Sequence, residues 1–277
     1  QHVTLVNDLV AIAAAVPYLK PEELFTLHAG KRISPPLKEL KSDYSPLADG
    51  RDGVFAVLAP GTGLGQAFLS INSRKHHLLP SEGGHVDFAP TSEIEVSLLG
   101  YLLSKYTHVS YERVLSGPGL VNIYQFLRDM DYAKEPAELR KRLNEDDPSF
   151  VISGCAQSGE YEICVKALDV FASILGAQAG NIVLTLLATG GVYLGGGIVT
   201  KIYQKLAEGI TVSSYLQKGR LSDLVKNTPL YVILDDHAAL VGAASLVSED
   251  IQFNYSPQSR LSACDALAGK KRKEDQG

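Results

Sequence analysis

The chain has 277 residues, 45% hydrophobic and 21% charged, an ordinary globular composition with room for one large domain or two modest ones. Its formal net charge of −5 and pI of about 5.8 exclude the broad basic footprint of a nucleic-acid binder. The cysteines Cys155, Cys164 and Cys264 make no CxxC or Cys/His zinc pattern and fit a reducing cytosol better than a disulfide scaffold.

Val3-Thr4-Leu5-Val6 reads as a short strand. A domain that opens in mid-strand leads us to expect residues upstream of Gln1. No charged n-region or cleavage site precedes the strand, as a secretory leader would require. Asn7-Asp8 follows, then an Ala-rich helix over residues 9–16 that Pro17 ends. Asn and Asp are favoured helix N-caps, so one of them can be only a cap. The functional reading is a carboxylate at the end of a sheet strand, where open α/β sheets hold ligands. Residues 21–24 read as a helical turn, and residues 30–53 as an extended, polar surface connection.

Residues 54–58 form a buried-strand run. Pro60-Gly61-Thr62-Gly63-Leu64-Gly65 then makes a tight turn, and residues 66–69 resume as strand. Strand–turn–strand is neither a P-loop nor a dinucleotide fingerprint. Successive N–H groups in such a turn can form an anion-binding nest, with the Thr62 hydroxyl as a further donor. The plain alternative is a Gly-rich hairpin.

Ser81-Glu82-Gly83-Gly84-His85-Val86-Asp87-Phe88-Ala89-Pro90 places a carboxylate and an imidazole around two glycines. The glycines permit backbone geometry that a Cβ would block. Glu82 accepts hydrogen bonds and His85 can donate or accept them, which suits a polyhydroxylated ligand. Taken alone, the segment is equally a glycine turn with a surface Glu and a half-buried His.

Ser92-Glu93-Ile94-Glu95 reads as a capping box opening a helix with Ile94, Leu98, Leu99, Leu102 and Leu103 on one face. Ser116-Gly117-Pro118-Gly119 precedes a second helix over 120–128, and residues 135–143 form another helical turn or two. Glu112, on its own, reads as a surface acid or salt-bridge partner. Residues 160–187 are the longest helical pattern, wet in the first half and apolar nearly all round in the second, as a core helix is. A membrane span needs about 20 predominantly apolar residues, but Gln178, Asn181 and two glycine clusters break this run. Gly176 and Gly180 permit close packing there. Residues 191–194 read as a strand, Gly195-Gly196-Gly197 as a turn that lets backbone approach a ligand, and 201–207 as a helix. Residues 231–234 read as a strand, and Asp235-Asp236 caps a helix over 237–247. Lys270-Lys271-Arg272-Lys273 reads as part of a solvated tail.

In this order the pieces resemble bacterial-type glucokinase, the ATP-dependent hexose kinase of the actin-like ATPase superfamily. The likeness runs from about Leu5 to Leu246. It rests on Val6-Asn7-Asp8, Gly61-Thr62-Gly63-Leu64-Gly65, Glu82-Gly83-Gly84-His85 with the residues through Pro90, His108-Val109-Ser110-Tyr111-Glu112-Arg113 running on to Asn122, and Gly195-Gly196-Gly197-Ile198-Val199. The zinc-binding cysteine motif of the related repressor/kinase branch is absent. The resemblance implies an α/β, two-lobed actin-like (ribonuclease H-like) fold whose small lobe is incomplete at the N-terminus. Residues 1–52 would be the remainder of the small lobe and a connection, 53–227 the large lobe, 228–249 a strand and helix returning to the small lobe, and 250–277 a polar tail.

The resemblance also implies roles. Asp8 would be the general base for the sugar 6-hydroxyl, and Asn7, Glu82, His85 and Glu112 would bind the other hydroxyls. Gly61, Thr62, Gly63 and Gly65 would form the second phosphate loop, with Gly195, Gly196 and Gly197 beside the adenosine. Substrates would be glucose and ATP with Mg²⁺, in a cytoplasmic protein that forms a homodimer and engages neither nucleic acid nor membrane. A helix N-terminus favours the negative charge that a base at Asp8 needs. The family's first phosphate loop, Asp-x-Gly-Gly-Thr-Asn, is not found in these 277 residues, and Pro60 and Ser81 stand where glycine is usual. A truncated, weakly active kinase is therefore expected. A glucose-binding remnant without turnover and a kinase for another hexose stay open.

Overall fold

The computed structural model describes residues 5–30, 52–73 and 75–247. Its centre is a six-stranded sheet. The strands are β1 (Leu24–His28), β2 (Gly53–Pro60), β3 (Leu64–Asn72), β4 (Lys75–Ser81), β5 (Gly191–Leu194) and β6 (Leu230–Ile233), in the order β1-β6-β5-β2-β3-β4. β2, β3 and β4 form an antiparallel meander, while β2, β5 and β6 run parallel. β1 closes the edge antiparallel to β6. Parallel strands need helical crossovers; the long segment between β4 and β5 supplies one, and the helices between β5 and β6 supply the other.

Both faces of the sheet are covered. Alternation along β2 sends Phe55 and Val57 to one side and Ala56 and Leu58 to the other. Phe55, Val57, Ala67, Leu69 and Ile71 pack under α1 (Asp8–Ala15) and α10 (Ala238–Ser245). Ala56, Leu58, Phe68, Val192 and Val232 join the larger core under the remaining helices. These are α2 (Glu93–Leu103), α3 (Gly117–Asp129), α4 (Ala137–Glu145), α5 (Pro148–Ser158), α6 (Glu162–Leu186), α7 (Val199–Leu206), α8 (Ile210–Leu216) and α9 (Ser222–Lys226).

Helix α6 is the spine of that larger core. It is long and apolar enough to span a bilayer, yet 78% of its most apolar window is buried in the fold, as a core helix requires. Its two glycines receive α8: a Cβ at Gly176 would sit 2.0 Å from the Thr211 carbonyl oxygen, and one at Gly180 2.5 Å from that of Tyr215.

Several expectations are corrected. Leu5 and Val6 lie in no strand, and Val3 and Thr4 fall outside the described residues. β1, β4, α5, α8 and α9 were not anticipated. β4 carries Lys75, His76 and His77 and has no alternating burial pattern that would mark it as a strand. Ser92 is the N-cap of α2 but makes no side-chain cap bond; Glu95 instead turns back to accept from the Thr91 N–H at 2.7 Å. Asp235 accepts the His237 N–H at 2.9 Å, one residue ahead of α10. β6, expected to return to a small lobe, is hydrogen-bonded to β5 within this sheet, because its side chains are apolar on both faces and all four residues are buried. The remaining connection and the tail, including residues 31–51 and 248–277, lie outside the described residues.

α1 and α10 meet closely. A Cβ at Gly242 would lie 1.7 Å from the Ala11 carbonyl oxygen. Overpacking of this kind typically costs ~1–3 kcal/mol, so Gly242→Val should lower the unfolding free energy by an amount in that range, read by urea titration.

Candidate active site

The parallel strands β2, β5 and β6 end on one side of the sheet, and the glycine turns lie just beyond those ends. After β2, residues 61–63 turn tightly: the Gly61 N–H donates to the Gly63 carbonyl at 2.8 Å. The register then pairs Leu58 with Gln66, Ala59 with Gly65 and Pro60 with Leu64. After β5, Gly195 and Gly196 run alongside the end of β2. The Gly195 N–H donates to the Leu58 carbonyl at 3.0 Å, and Gly196 has φ +86° with its Cβ position 2.6 Å from the Pro60 carbonyl oxygen. Only glycine adopts that conformation in that space without strain.

Three separate segments converge on residues 63–66. The first is the start of α1. Asn7 caps the helix, its Oδ1 accepting the Leu9 N–H at 2.9 Å, and Asp8 Oδ1 accepts the same N–H at 2.9 Å. Leu9 lies over Gly65, where a Cβ would come within 2.5 Å of its Cγ. Asn7 and Asp8 themselves are exposed. The second is the 110–113 turn, from which Glu112 Oε2 accepts the Leu64 N–H at 2.9 Å and occupies the space of a Gly63 Cβ, 2.6 Å away. The third is the 82–85 turn. A Cβ at Gly84 would sit 2.0 Å from the Leu64 carbonyl oxygen, and one at Gly83 2.3 Å from Gln66 Oε1. His85 Nε2 lies 3.9 Å from Glu112 Oε2. The segments that carry Asn7 and Asp8, Glu82 and His85, and Glu112 thus meet one strand turn from widely separated places in the chain.

The second and third segments are tied together. Asp87 bridges Ser110, the Phe88 N–H donates to Val109 at 2.9 Å, and the Tyr111 N–H donates to Val86 at 3.1 Å. The His108 ring nitrogen Nε2 lies 2.9 Å from Asp87 Oδ1. Behind Glu112, Tyr111 is buried, packs edge-on against Phe88, and meets Asn181 Nδ2 at 3.0 Å through its hydroxyl. Burial raises the Tyr111 phenol above its ordinary range, which keeps it neutral. Lys218 Nζ donates at 2.8 Å to Asn181 Oδ1. This chain of contacts roots Glu112 in α6. A cavity of about 190 Å³ opens beside it, lined by His85, Ser110, Glu112 and Arg113 among others.

Helix α3 adds an element that the sequence left as a helix beginning after Gly119. It starts at Gly117, with Ser116 as N-cap accepting the Gly119 N–H at 3.0 Å. The Gly117 N–H donates to the Gly61 carbonyl at 2.9 Å, so the positive end of the helix dipole lies against the 61–65 turn. Together the two can hold an anion. The signal was present as Ser followed by Gly-Pro. A Cβ at Gly61 or at Gly197 would meet nothing within 4 Å, so protein packing does not require glycine at either place and the space beside them is open to a ligand. Gln66 was also not singled out. It is buried, and its Nε2 has no hydrogen-bond partner among the described residues, an omission that generally costs ~1–3 kcal/mol.

A mixed sheet that collects glycine turns and carboxylates where its parallel strands end is the architecture of the actin-like sugar kinases. The family model described as Glucokinase matches residues 1–250. A glucokinase from Nostoc sp. is 38% identical over 255 residues, covering 87% of this chain and 70% of the relative. The crystal structure of a glucokinase from an Antarctic psychrotroph superposes with a TM-score of 0.71 at 31% identity, over 87% of this chain and 67% of its own. A ROK family glucokinase from Streptomyces griseus, solved with glucose and AMPPNP, shares the fold at 18% identity and a TM-score of 0.51, over 87% and 66% of the two chains. The chain belongs to the glucokinase family.

The close approach of Gly84 to Leu64 has a direct test. Gly84→Ala must displace the 82–85 turn, so it should lower stability by ~1–3 kcal/mol as overpacked sites do. Urea denaturation that matches the wild type would show that the approach is dispensable.

Proposed function

We propose that the chain acts as a glucokinase, transferring the γ-phosphoryl group of ATP to the 6-hydroxyl of glucose. The observation that carries this reading is the convergence of the α1 start, the 82–85 turn and the 110–113 turn on the β2–β3 turn, next to a glycine bed open to an anion. Asp8 is the general base: it stands exposed at the start of α1, next to Leu9, which lies over Gly65. Asn7, Glu82, His85 and Glu112 take the remaining hydroxyls. A site built from such acceptors rejects analogues that lack a hydroxyl, because its own polar groups would be left unpaired.

The chain's part in phosphoryl transfer is placement and charge. The 61–65 turn supplies N–H groups for the phosphates. The α3 N-terminus adds the positive end of its dipole, while its own Gly117 and Gly119 N–H groups stay on the Gly61 carbonyl and Ser116. Gly195, Gly196 and Gly197 offer bare backbone to the adenosine. Mg²⁺ in kinase sites is held mainly by phosphate oxygens and water with one or two carboxylates. Among the described residues no cluster of three or more His, Cys, Asp or Glu could hold a metal, so Mg²⁺ would come in on the phosphate oxygens of ATP. It would supply neutralisation of the phosphate charge during transfer. Cytoplasmic location and a homodimer belong to the same proposal; the thiols of Cys155 and Cys164 are free and buried, as in a reducing compartment.

Three experiments test this. Asp8→Ala should lower kcat by ~10²–10⁴-fold, the usual contribution of a positioned base, while glucose binding measured by calorimetry persists; equal turnover would remove Asp8 from the role. The same calorimetry on the wild type, beside a coupled assay, separates a kinase from a protein that only binds glucose. Gly61→Ala and Gly197→Ala should leave the melting temperature unchanged, since neither Cβ meets anything within 4 Å, yet raise KM for ATP. An unchanged KM in both would mean that no nucleotide approaches there.

A further inference from the structure

Gln66 is a polar side chain placed where stability alone would favour an apolar one. It lies in β3 between Gly65 and Ala67, is 5% exposed, and faces the 82–85 turn. Its Oε1 is 2.3 Å, and its Cδ 3.0 Å, from where a Gly83 Cβ would be, so the carboxamide lies directly against Gly83. Its Nε2 is buried without a partner among the described residues. Across the sheet Gln66 pairs with Ser81, whose Oγ accepts the Gly83 N–H at 2.9 Å. Gly83 is therefore held from two sides, by the Ser81 hydroxyl and by the flat carboxamide of Gln66. Glu82 precedes it, and the His85 N–H closes the turn on the Glu82 carbonyl at 3.0 Å.

We propose that Gln66 is a positioning residue for the hexose site: its carboxamide is the seat on which Gly83 rests, and it sets where Glu82 and His85 stand before a sugar arrives. The inference deepens the glucokinase reading and rests on it for the identity of the sugar. A methionine or leucine would fill the same volume and leave no orphaned donor, and volume-conserving apolar side chains are tolerated in cores. Buried donors without partners are rare in native proteins, and each calls for a reason other than stability. A flat, rigid amide edge under a glycine fixes the height of the turn in a way that a rotating methyl or thioether does not.

The test uses the full 277-residue chain with Gln66→Met and Gln66→Leu. Both variants should melt at or above the wild-type temperature, because the unsatisfied N–H is gone. Without any ligand, amide hydrogen exchange across residues 82–86 should be faster than in the wild type, with α6 unchanged. KM for glucose should rise about tenfold, the scale of removing one hydrogen bond to the sugar, while kcat and KM for ATP hold. Unchanged exchange at 82–86 in both variants would overturn the proposal and make Gln66 a core filler, whatever the kinetics. Faster exchange with an unchanged KM for glucose would also overturn it, since the turn would then move without consequence for the sugar. A wild-type chain that does not phosphorylate glucose would sink the functional reading separately, and the exchange measurement would still decide whether Gln66 seats the turn.

Discussion

Backbone approaches closer than a side chain allows hold this site together. Leu9 of α1, Glu112 of the 110–113 turn and Gly84 of the 82–85 turn all press on residues 63–65, at positions where a Cβ would lie 2.5, 2.6 and 2.0 Å from its neighbour. Close packing at these distances leaves little slack, since protein interiors have crystal-like density. The consequence is mechanical. Any shift of the β2–β3 turn moves the groups carried by α1, Glu82, His85 and Glu112 together. A site for a rigid ring with hydroxyls on several sides needs that kind of common reference.

The rest of the fold supplies rigidity to the same point. Tyr111, Asn181 and Lys218 tie the 110–113 turn to α6, and α6 is itself clamped by α8 through Gly176 and Gly180. Burial depresses the Lys218 ammonium below its ordinary range, the expected direction for a cation taken out of water. Its bonds to the Ala177 carbonyl and Asn181 Oδ1, each 2.8 Å, offset part of that cost. On the opposite face, α1 is held by α10 across Gly242 at Ala11 and Ala15, which anchors the helix that Asp8 begins. The arms of the site are anchored on both faces of the sheet, and they meet beyond the ends of its parallel strands.

Much of this was legible in residue order alone. Apolar periodicity marked α2, α3 and α6, and continuous apolar runs marked β2, β5 and β6, because a parallel strand buried on both faces has no polar side. β1 and β4 were hidden by their position. Both are edge strands, and β4 carries Lys75, His76, His77 and Pro80, which leave no apolar run to mark a strand. Ser92 and Glu95 have the composition of a capping box, but Thr91 offered Glu95 a hydroxyl as well as an N–H, and the carboxylate took both.

The sequence by itself determined the chemical inventory: glycines where backbone must come close, carboxylates, an amide and an imidazole in short polar breaks, and a family pattern across nearly the whole described chain. Those are local properties, fixed by side-chain type and spacing. What only the tertiary structure decided was that the segments carrying residues 7, 61, 82, 112 and 195 meet beyond the strand ends of one sheet, that the α3 N-terminus faces the 61–65 turn, and that Gln66 lies unpaired beneath Gly83. Strand order and register determine those juxtapositions, and they arise from contacts between segments as far apart in sequence as Leu24 and Ile233, which no local pattern encodes.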